Sequence, residues 1–370
     1  MADLLVTGGA GFIGANYVHH WMARHPEGRV VVLDALTYAG NLASLGPNLA
    51  DPRLHFVSGD IRDWELVAAL LRDHQITQLV HFAAESHVDR SIVKPDPFLE
   101  TNVLGTHALL KAARQVWLEE GGGEDVRFHH ISTDEVYGSL APDDPPFKEE
   151  CPYRPSSPYA ASKAASDHLV RAYYRTYGLP VTITNCSNNY GPYQFPEKLI
   201  PLMLLHALEG RPLPVYGDGL YVRDWLHVSD HCEALEQVLA QGKPGETYNL
   251  GGGNEWTNLD VVRLLAGLLD QAFSVDRGLV RRFPACPASK GIPTASLIAH
   301  VSDRPGHDRR YAVDTRKAHS QLGFRPIHRL ETGLRETIAW YLDHEEWWRG
   351  ILDGTYRKLK PVVSAMNVSN

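Results

Sequence analysis

The first half of the chain alternates short apolar segments with longer segments of helical periodicity, and this alternation restricts the possible folds most strongly. Strands are predicted at residues 4–6, 29–33, 54–57, 78–82, 126–131 and 181–185, and helices at 14–24, 65–73, 97–118 and 159–177. Apolar strands that alternate with helices pair in parallel, and the helices cover both faces of their sheet. The pattern therefore predicts an α/β fold built on a parallel sheet.

The second half of the chain has a different texture, with frequent proline and glycine in GPYQFPEK and GRPLPVYGDG. Short helices are predicted at residues 199–208 and 259–269, and residues 272–301 read as a loop. We expect a first domain over residues 1–187 and a smaller mixed α/β lobe over 188–360, interleaved with the first, and a frayed tail over 361–370.

Composition weighs against several classes of partner. The 370 residues carry a net charge of −8 and show no basic stripe, which argues against nucleic acid as a partner. Nineteen histidines are scattered without the spacing of a metal site, so no metal is expected. The chain enters a strand directly and has no long apolar run, which predicts no membrane segment and a cytoplasmic location. Four cysteines without a CxxC pair make a disulfide framework unexpected.

The segment TGGAGFIG, residues 7–14, lies between the first predicted strand and the first predicted helix. Gly8, Gly11 and Gly14 allow a tight turn and a close approach of the backbone to a pyrophosphate at the helix N-terminus. Asp34 follows Gly14 by 20 residues at the end of the second strand, where an acid binds ribose hydroxyls and disfavours a 2′-phosphate. The parallel sheet is therefore expected to be Rossmann-like, with NAD as the cofactor. Asp60, which ends the third strand, is expected either at the adenine pocket or as a helix cap.

Tyr159 and Lys163 form a Tyr-x-x-x-Lys pair on a predicted helix. Residues four apart share a helix face, so the ammonium is expected to favour the phenolate and lower the pKa of the tyrosine. Such a tyrosine can take a proton from a sugar hydroxyl. A surface pair is the alternative for an isolated motif, but the upstream dinucleotide loop favours catalysis.

Two adjacent acids, Asp134 and Glu135, follow Thr133 in HHISTDEVYG. Isolated acids at a strand end are usually a solvated turn. Beside an oxidised sugar they have a use, because a C4 ketone acidifies the C5 hydrogen, and loss of water then needs one base and one acid. Like charges at close range cannot both ionise easily, so such a pair can divide these roles. The residues alone do not decide which acid holds the proton.

Together these motifs resemble the extended short-chain dehydrogenase/reductase family over about residues 3–345. Within that family, six stretches resemble the dTDP-glucose 4,6-dehydratases: LDALTYAGN (33–41), HFAAESHVDRSI (81–92), STDEVYG (132–138), NNYGPYQFPEKLIP (188–201), YGDGLYVRDWLHVSDH (216–231) and DRPGHDRRYAVD (303–314). Related 4-epimerases have a small uncharged residue in place of at least one acid, whereas this chain has both.

The resemblance implies a role for each site residue. Glu135 is the expected base at C5, Asp134 the acid at C6, and Thr133 the hydroxyl that assists Tyr159 at O4. The implied cofactor contacts are Gly8, Gly11, Phe12, Ile13, Gly14, Asp34, Leu36, Thr37, Asp60, Ile61, Phe82, Ala83, Ala84, Ser86, Thr101, Tyr159, Lys163 and Asn189. The implied substrate contacts are Ser86, Thr133, Asn188, Lys198, Leu199, Pro214, Tyr216, Arg223, Asn258, Asp303, Arg304 and His307.

The expected reaction is NAD-dependent conversion of dTDP-glucose to dTDP-4-keto-6-deoxyglucose, for deoxysugar, rhamnose and cell-surface polysaccharide biosynthesis. The alternatives are a sugar-nucleotide 4-epimerase and a dehydratase that acts on UDP- or CDP-glucose. The resemblance also implies a homodimer packed through the helices predicted at 97–118 and 159–177. The chain departs from the family pattern at a longer stretch over 272–298 and at its C-terminal end, which is only loosely similar.

Overall fold

A computed structural model of the chain describes residues 3–123 and 125–358, and the tail predicted at 361–370 lies outside them. Its strands are β1 Leu4–Thr7, β2 Val30–Asp34, β3 Leu54–Ser58, β4 Gln78–His81, β5 Arg127–Thr133, β6 Val181–Cys186, β7 Asn188–Tyr190, β8 Leu213–Tyr216, β9 Val222–His227, β10 Thr247–Leu250, β11 Glu255–Thr257 and β12 Ile298–Val301. Its α-helices are α1 Phe12–Arg24, α2 Trp64–Asp73, α3 Val88–Val93, α4 Asp96–Phe98, α5 Thr106–Ala113, α6 Pro158–Tyr177, α7 Leu199–Leu208, α8 Val228–Gln241, α9 Asn258–Val275, α10 Gly278–Arg282, α11 Arg316–Leu322, α12 Leu330–Asp343 and α13 Glu345–Leu352. Short 3₁₀ turns occupy Leu42–Ala50, Asp134–Tyr137, Pro287–Lys290, Thr294–Leu297 and Thr355–Lys358.

The central sheet has seven strands in the order β10-β6-β5-β4-β1-β2-β3, and every pair in it is parallel. Alternate residues of β1 face opposite sides: Leu4 and Val6 pack toward α1 and α8, while Leu5 packs toward α2, α5 and α6. Both faces are thus buried, which confirms the predicted Rossmann-like sheet with helices on both sides.

The helix predicted at residues 97–118 extends over residues 96–119. It contains α4 and α5 together with two π-helical segments, Leu99–Gly105 and Arg114–Glu119. A π-helical turn lets a helix carry an extra residue and re-aim its side chains. Thr101 and Asn102 lie in the first of these segments.

A second core lies beyond residue 188, where β7, β9 and β11 form a three-stranded sheet and β8 pairs with β12. The chain returns from this lobe to the first sheet, because β10 pairs with β6 and α8 packs against α1. This return accounts for the predicted interleaving. The boundary at residue 187 stays a prediction.

The prediction of a loop at residues 272–301 is wrong. The helix α9 continues to Val275, and α10, two 3₁₀ turns and β12 follow it. Phe273, Leu279, Phe283 and Cys286 are buried in the second core, so packing rather than local periodicity orders this segment. Its last strand, β12, pairs with β8, which contains the predicted substrate contacts Pro214 and Tyr216.

Candidate active site

The nucleotide loop is shaped by glycines that leave no room for a side chain. Gly8 has a φ of +71°, and a Cβ there would lie 2.6 Å from the backbone nitrogen of Ala83. A Cβ on Gly14 would lie 2.3 Å from the carbonyl oxygen of Gly8. The helix α1 begins at Phe12 without a side-chain cap, so its first N–H groups face the cleft with the positive end of the helix dipole. This arrangement fits the pyrophosphate of a dinucleotide.

Asp34 ends β2 beside this loop and is buried. Its Oδ2 accepts the N–H of Ala10 at 2.9 Å, and its Oδ1 accepts the N–H of Leu36 at 2.8 Å. Burial raises the pKa of the carboxyl, while these two hydrogen bonds oppose that shift. The two backbone donors fix the carboxylate at the cleft and leave further lone pairs for ribose hydroxyls. Asp60, in contrast, pairs with Arg62 at 2.7 Å, and the cap of α2 is Asp63.

One cleft of about 330 Å³ joins the nucleotide loop to both predicted catalytic motifs. The predicted catalytic residues Thr133, Asp134, Glu135, Tyr159 and Lys163 all line it. Of the predicted cofactor contacts, only Leu36 does not line it, although its N–H holds Asp34. The shape, the glycine loop and the buried acid fit NAD.

The Thr-Asp-Glu turn follows directly from the end of β5. The Thr133 hydroxyl accepts the N–H of Glu135 at 3.3 Å and donates to Oδ1 of Asp134 at 3.3 Å. Gly138 ends the turn with a φ of +91°, and a Cβ there would lie 2.5 Å from the carbonyl oxygen of Arg154. The strand end and the tight turn therefore direct two adjacent carboxyls into the cleft.

The Tyr159–Lys163 pair lies in the first half of α6. The side chain of Ser157 caps this helix by accepting the N–H of Ala160 at 3.1 Å. Lys163 is buried and donates from Nζ to the carbonyl oxygen of Ile131 at 2.7 Å. Burial lowers the pKa of Lys163 to about 8.

The prediction that the pKa of Tyr159 is lowered is wrong. Burial raises this pKa well above its ordinary value, and the charge of Glu135 adds to the increase. A hydrogen bond with Thr133 acts in the opposite direction. A buried phenol beside a carboxyl group therefore favours its protonated form.

The two acids have different surroundings. Asp134 is buried, and its pKa is raised well above the ordinary value by burial and then by the charges of Glu135 and Asp224. Burial also raises the pKa of Glu135, but there the nearest charges are cations, Arg223, Arg304 and Lys198, which oppose the shift. The neutral form is therefore favoured more strongly at Asp134.

Four of the predicted substrate contacts, Ser86, Thr133, Asn188 and Lys198, line the same cleft. Lys198 is held there because its Nζ donates to the carbonyl oxygen of Ser86 at 2.9 Å. The other eight lie outside the lining of this cleft: Leu199, Pro214, Tyr216, Arg223, Asn258, Asp303, Arg304 and His307. Leu199 packs against the second core.

Four of those eight residues, Arg223, Asp303, Arg304 and His307, belong to a polar cluster, and the charges of Arg223 and Arg304 act on Glu135. His307 donates from Nδ1 to Oδ1 of Asp303 at 2.8 Å and stacks on Tyr221 with ring centroids 3.6 Å apart. Arg304 pairs with Asp89 at 2.8 Å, and its Nε is buried without a hydrogen-bond partner among the described residues. Arg223 donates to the carbonyl oxygen of Asp308 at 2.9 Å. Guanidinium groups bind phosphate oxygens through paired hydrogen bonds, so two of them in one cluster suit an anionic ligand.

Sequence reasoning missed several lining residues: Leu33, Ala35, Tyr38, Ala39, Gly40, Gly59, Glu85, Ile131, Ser132, Cys186, Ser187, Gln194, Phe195 and Glu197. Many of them, including Tyr38, Gln194 and Glu197, fall inside the stretches 33–41 and 188–201 that carry the family resemblance. The family resemblance of these two stretches could therefore have identified these residues. Cys186 follows from topology alone, since β6 pairs with β5 and Cys186 lies beside Thr133.

Comparison with known proteins places the chain in a family. Residues 5–337 match the family model described as GDP-mannose 4,6 dehydratase. A dTDP-glucose 4,6-dehydratase of Xanthomonas campestris pv. campestris (strain B100) is 55% identical over 359 residues, which cover 96% of this chain and 98% of the relative. One from Escherichia coli is 51% identical over 363 residues, 95% of this chain and 97% of the relative.

Solved structures agree with these relatives. The dTDP-glucose 4,6-dehydratase of Bacillus anthracis str. Ames in complex with NAD has a TM-score of 0.82 at 44% identity and covers 95% of this chain and 100% of its own. That of Streptomyces venezuelae, with NAD and TYD bound, has a TM-score of 0.81 at 48% identity and covers 94% and 99%. The chain belongs to the GDP-mannose 4,6-dehydratase family and, within it, to the dTDP-glucose 4,6-dehydratases.

Proposed function

We propose that this protein converts dTDP-glucose to dTDP-4-keto-6-deoxyglucose and water. The observation that carries the proposal is the meeting of Tyr159, Lys163, Asp134 and Glu135 in one cleft with the dinucleotide loop. A redox pair alone would serve an epimerase. Two further acids with unlike surroundings supply the acid and the base that loss of water requires.

The glycine loop and Asp34 would hold NAD, which would accept the hydride from C4, return it to C6 after water has left, and add a positive charge beside the substrate. Tyr159 takes the proton of the C4 hydroxyl, and Thr133 hydrogen-bonds at the same oxygen. Lys163 stabilises the resulting phenolate because its ammonium lies one helical turn away on the same face. Each such proton transfer contributes about 10²–10⁴-fold to the rate.

Loss of water divides between the two acids. Glu135 acts as the base at C5, since Arg223, Arg304 and Lys198 favour its charged form. Asp134 acts as the acid at the C6 hydroxyl, since burial and the charges of Glu135 and Asp224 favour its protonated form. The repulsion between neighbouring carboxyls thus keeps a proton on Asp134 while Glu135 is free to accept one.

The substrate nucleotide extends from this centre toward the polar cluster around His307. Lys198, Arg223, Arg304 and Asn188 supply donors for the diphosphate and sugar. The strand pair β8–β12 and Tyr216 flank the base. Asn258 has a buried Oδ1 without a partner among the described residues, which suits a contact with the nucleotide.

The direct test is incubation of the purified protein with dTDP-glucose, followed by the strong alkaline absorbance of the 4-keto product. We expect that absorbance to rise with time. Formation of dTDP-galactose without a ketone would show a 4-epimerase instead. The nucleotide is identified by competition among dTDP-, UDP- and CDP-glucose. This measurement is needed because one methyl group changes the free energy of recognition by only about 1–3 kcal/mol.

The base at C5 is tested with Glu135→Gln. This variant is expected to retain C4 oxidation and to lose exchange of the C5 hydrogen with deuterium from solvent, because the amide cannot accept the proton. Exchange is measured by NMR of recovered dTDP-sugars. Exchange at the wild-type rate in Glu135→Gln would contradict the role of Glu135.

Three broader features belong to the same proposal. We infer a homodimer that packs through the helix at residues 96–119 and α6, which expose Leu99, Leu104 and Tyr177 to solvent.

Free thiols at all four cysteines suit a reducing cytoplasm. Among the described residues, no helix is long and apolar enough to cross a bilayer. The product serves deoxysugar synthesis, with rhamnose as one outcome.

A further inference from the structure

A stripe of polar side chains runs along α6 behind the catalytic pair. Tyr159, Lys163, Asp167 and Arg171 are spaced four residues apart and therefore follow one face of the helix. Lys163 and Asp167 are buried, and Arg171 is half-buried. The order along the stripe is phenol, cation, carboxylate, cation. Asp167 has no part in the reaction as described above.

His130 on β5 connects Lys163 with Asp167. Its Nε2 lies 3.5 Å from Nζ of Lys163 and 3.2 Å from Oδ1 of Asp167. Burial lowers the pKa of His130 to about 4, so the ring is neutral at neutral pH. The Oδ1 atom of Asp167 is buried without a hydrogen-bond partner among the described residues, so its contact with the ring is one of proximity. The Lys163 ammonium donates to the carbonyl oxygen of Ile131 at 2.7 Å.

The other oxygen of Asp167, Oδ2, accepts two hydrogen bonds. The Tyr153 hydroxyl donates to Oδ2 at 2.8 Å, and the Asn185 amide donates at 3.3 Å. Arg171 in turn donates to the Tyr153 oxygen at 2.6 Å. Burial by itself raises the pKa of Asp167, but His130, Lys163 and Arg171 outweigh it and lower that pKa. The carboxylate is therefore ionised inside the protein.

Among the described residues, Asp167 is the ionised group that favours the charge of Lys163 most strongly. Asp134 and Glu135 line the same cleft as Lys163. Tyr159 on the same helix is a protonated phenol, and His130 on β5 and His81 on β4 are neutral because burial lowers their pKa values. Burial raises the pKa of Cys186 on β6 to about 12, so it is a thiol. Burial opposes the charge of Lys163, and Asp167 is the largest influence that favours it.

We propose that Asp167 is a positioning residue for the dehydratase reaction, whose buried carboxylate keeps Lys163 charged so that Lys163 can stabilise the Tyr159 phenolate. The inference rests on the proposed function. Tyr153 and Asn185 hold the carboxylate by donating to its Oδ2 atom, and His130 lies against Oδ1. Asp167 acts only through Lys163 and does not touch the substrate.

The test is the pH profile of product formation for Asp167→Asn. Without the carboxylate, the pKa of Lys163 falls further, and its charge is lost at lower pH. The alkaline limb of the profile is then expected to move down by about 1 pH unit or more, with activity recovered on the acid side. Tyr153→Phe is the control, because it removes one contact to the same carboxylate and no charge, and its limb should not move. A uniform loss of activity across the pH range in Asp167→Asn would overturn the proposal.

A second measurement does not depend on turnover. Lys163 and Asp167 are two buried groups of opposite charge on one face of α6. Removing one of two buried opposite charges leaves the other uncompensated, whereas removing both does not. Asp167→Asn is therefore expected to lower Tm, and the double variant Lys163→Met/Asp167→Asn to recover part of that loss. No recovery would count against coupling between the two charges. If the wild-type protein forms no ketone, the proposed function fails, and this thermal cycle still decides whether Asp167 supports the charge of Lys163.

Discussion

At Asp134, catalysis and stability are in opposition. The carboxyl is buried, its Oδ2 has no hydrogen-bond partner among the described residues, and Glu135 and Asp224 repel its charged form. The pKa is thus raised above the unfolded value of about 3.9. Ionisation of Asp134 opposes folding, so the penalty is absent below the unfolded pKa and grows as pH rises toward the folded pKa.

Asp134→Asn is expected to raise Tm at neutral pH, because the neutral amide removes this penalty. The gain should shrink as pH falls toward the unfolded pKa. The same variant should form product about 10²–10⁴-fold more slowly, since the C6 hydroxyl loses its acid, while C5 exchange with deuterium persists. Calorimetry at several pH values and NMR of the recovered sugar measure both effects. A lower Tm at neutral pH, or loss of C5 exchange, would contradict these assignments.

For single residues, the spacing along the sequence predicted which side chains meet in the site, but it did not predict their pKa values. The four-residue spacing of Tyr159 and Lys163 indicated the catalytic pair, and one further step of the same spacing leads to Asp167. The direction of the Tyr159 pKa was wrong because burial outweighs the nearby ammonium, and burial is a property of the folded cleft rather than of the motif. The partner of Asp167, His130, lies 37 residues earlier on a neighbouring strand and has no local signal.

Among elements, the strands and helices of the first half were predicted well, whereas the helices α8 and α12 of the second half were not predicted. β10 was missed because its sequence, Thr247–Leu250, mixes polar with apolar residues, and pairing with β6 orders them. The segment after α9 was missed because proline and arginine interrupt an apolar face that packs on the second core. In both places tertiary contacts, not local propensity, determine the structure.

The C-terminal turn after α13 holds a loop of the cofactor cleft. The Tyr356 hydroxyl donates to the carbonyl oxygen of Tyr38 at 2.6 Å, and Trp347 Nε1 donates to Oγ of Ser44 at 3.2 Å. Tyr38 lines the cleft. Tyr356→Phe removes one hydrogen bond of about 1 kcal/mol and is expected to speed the dissociation of NAD about fivefold.

NAD release from Tyr356→Phe is measured by the cofactor that remains bound after gel filtration and by its dissociation rate. Tyr174→Phe is the matched control, because it makes the same chemical change on α6 at a residue that does not line the cleft. Unchanged retention in Tyr356→Phe would show that the C-terminal turn does not secure the cofactor loop.

For the whole molecule, the two lobes share one cleft because the chain crosses between them repeatedly. The glycine loop and α6 belong to the first sheet, and Asn188 and Lys198 come from the second lobe. Alternation of strands and helices predicts the first sheet. The position of the second lobe on that sheet depends on long-range pairs such as β10 with β6, which periodicity does not contain.

The prediction of a homodimer depends on the exposed side chains of the helix at residues 96–119 and of α6. Leu104 is 57% exposed, and Leu99 is 51% exposed on the same helix. Large apolar side chains that stay exposed on two neighbouring helices are typical of an interaction surface, so a second copy of the chain is expected to cover them. Leu104→Glu places a charge in that interface and should shift the protein from dimer to monomer in light scattering. Val275→Glu is the control, since Val275 is 86% exposed at the end of α9, outside this face, and should leave the mass unchanged. A wild-type monomer, or a dimer that survives Leu104→Glu, would contradict packing through these helices.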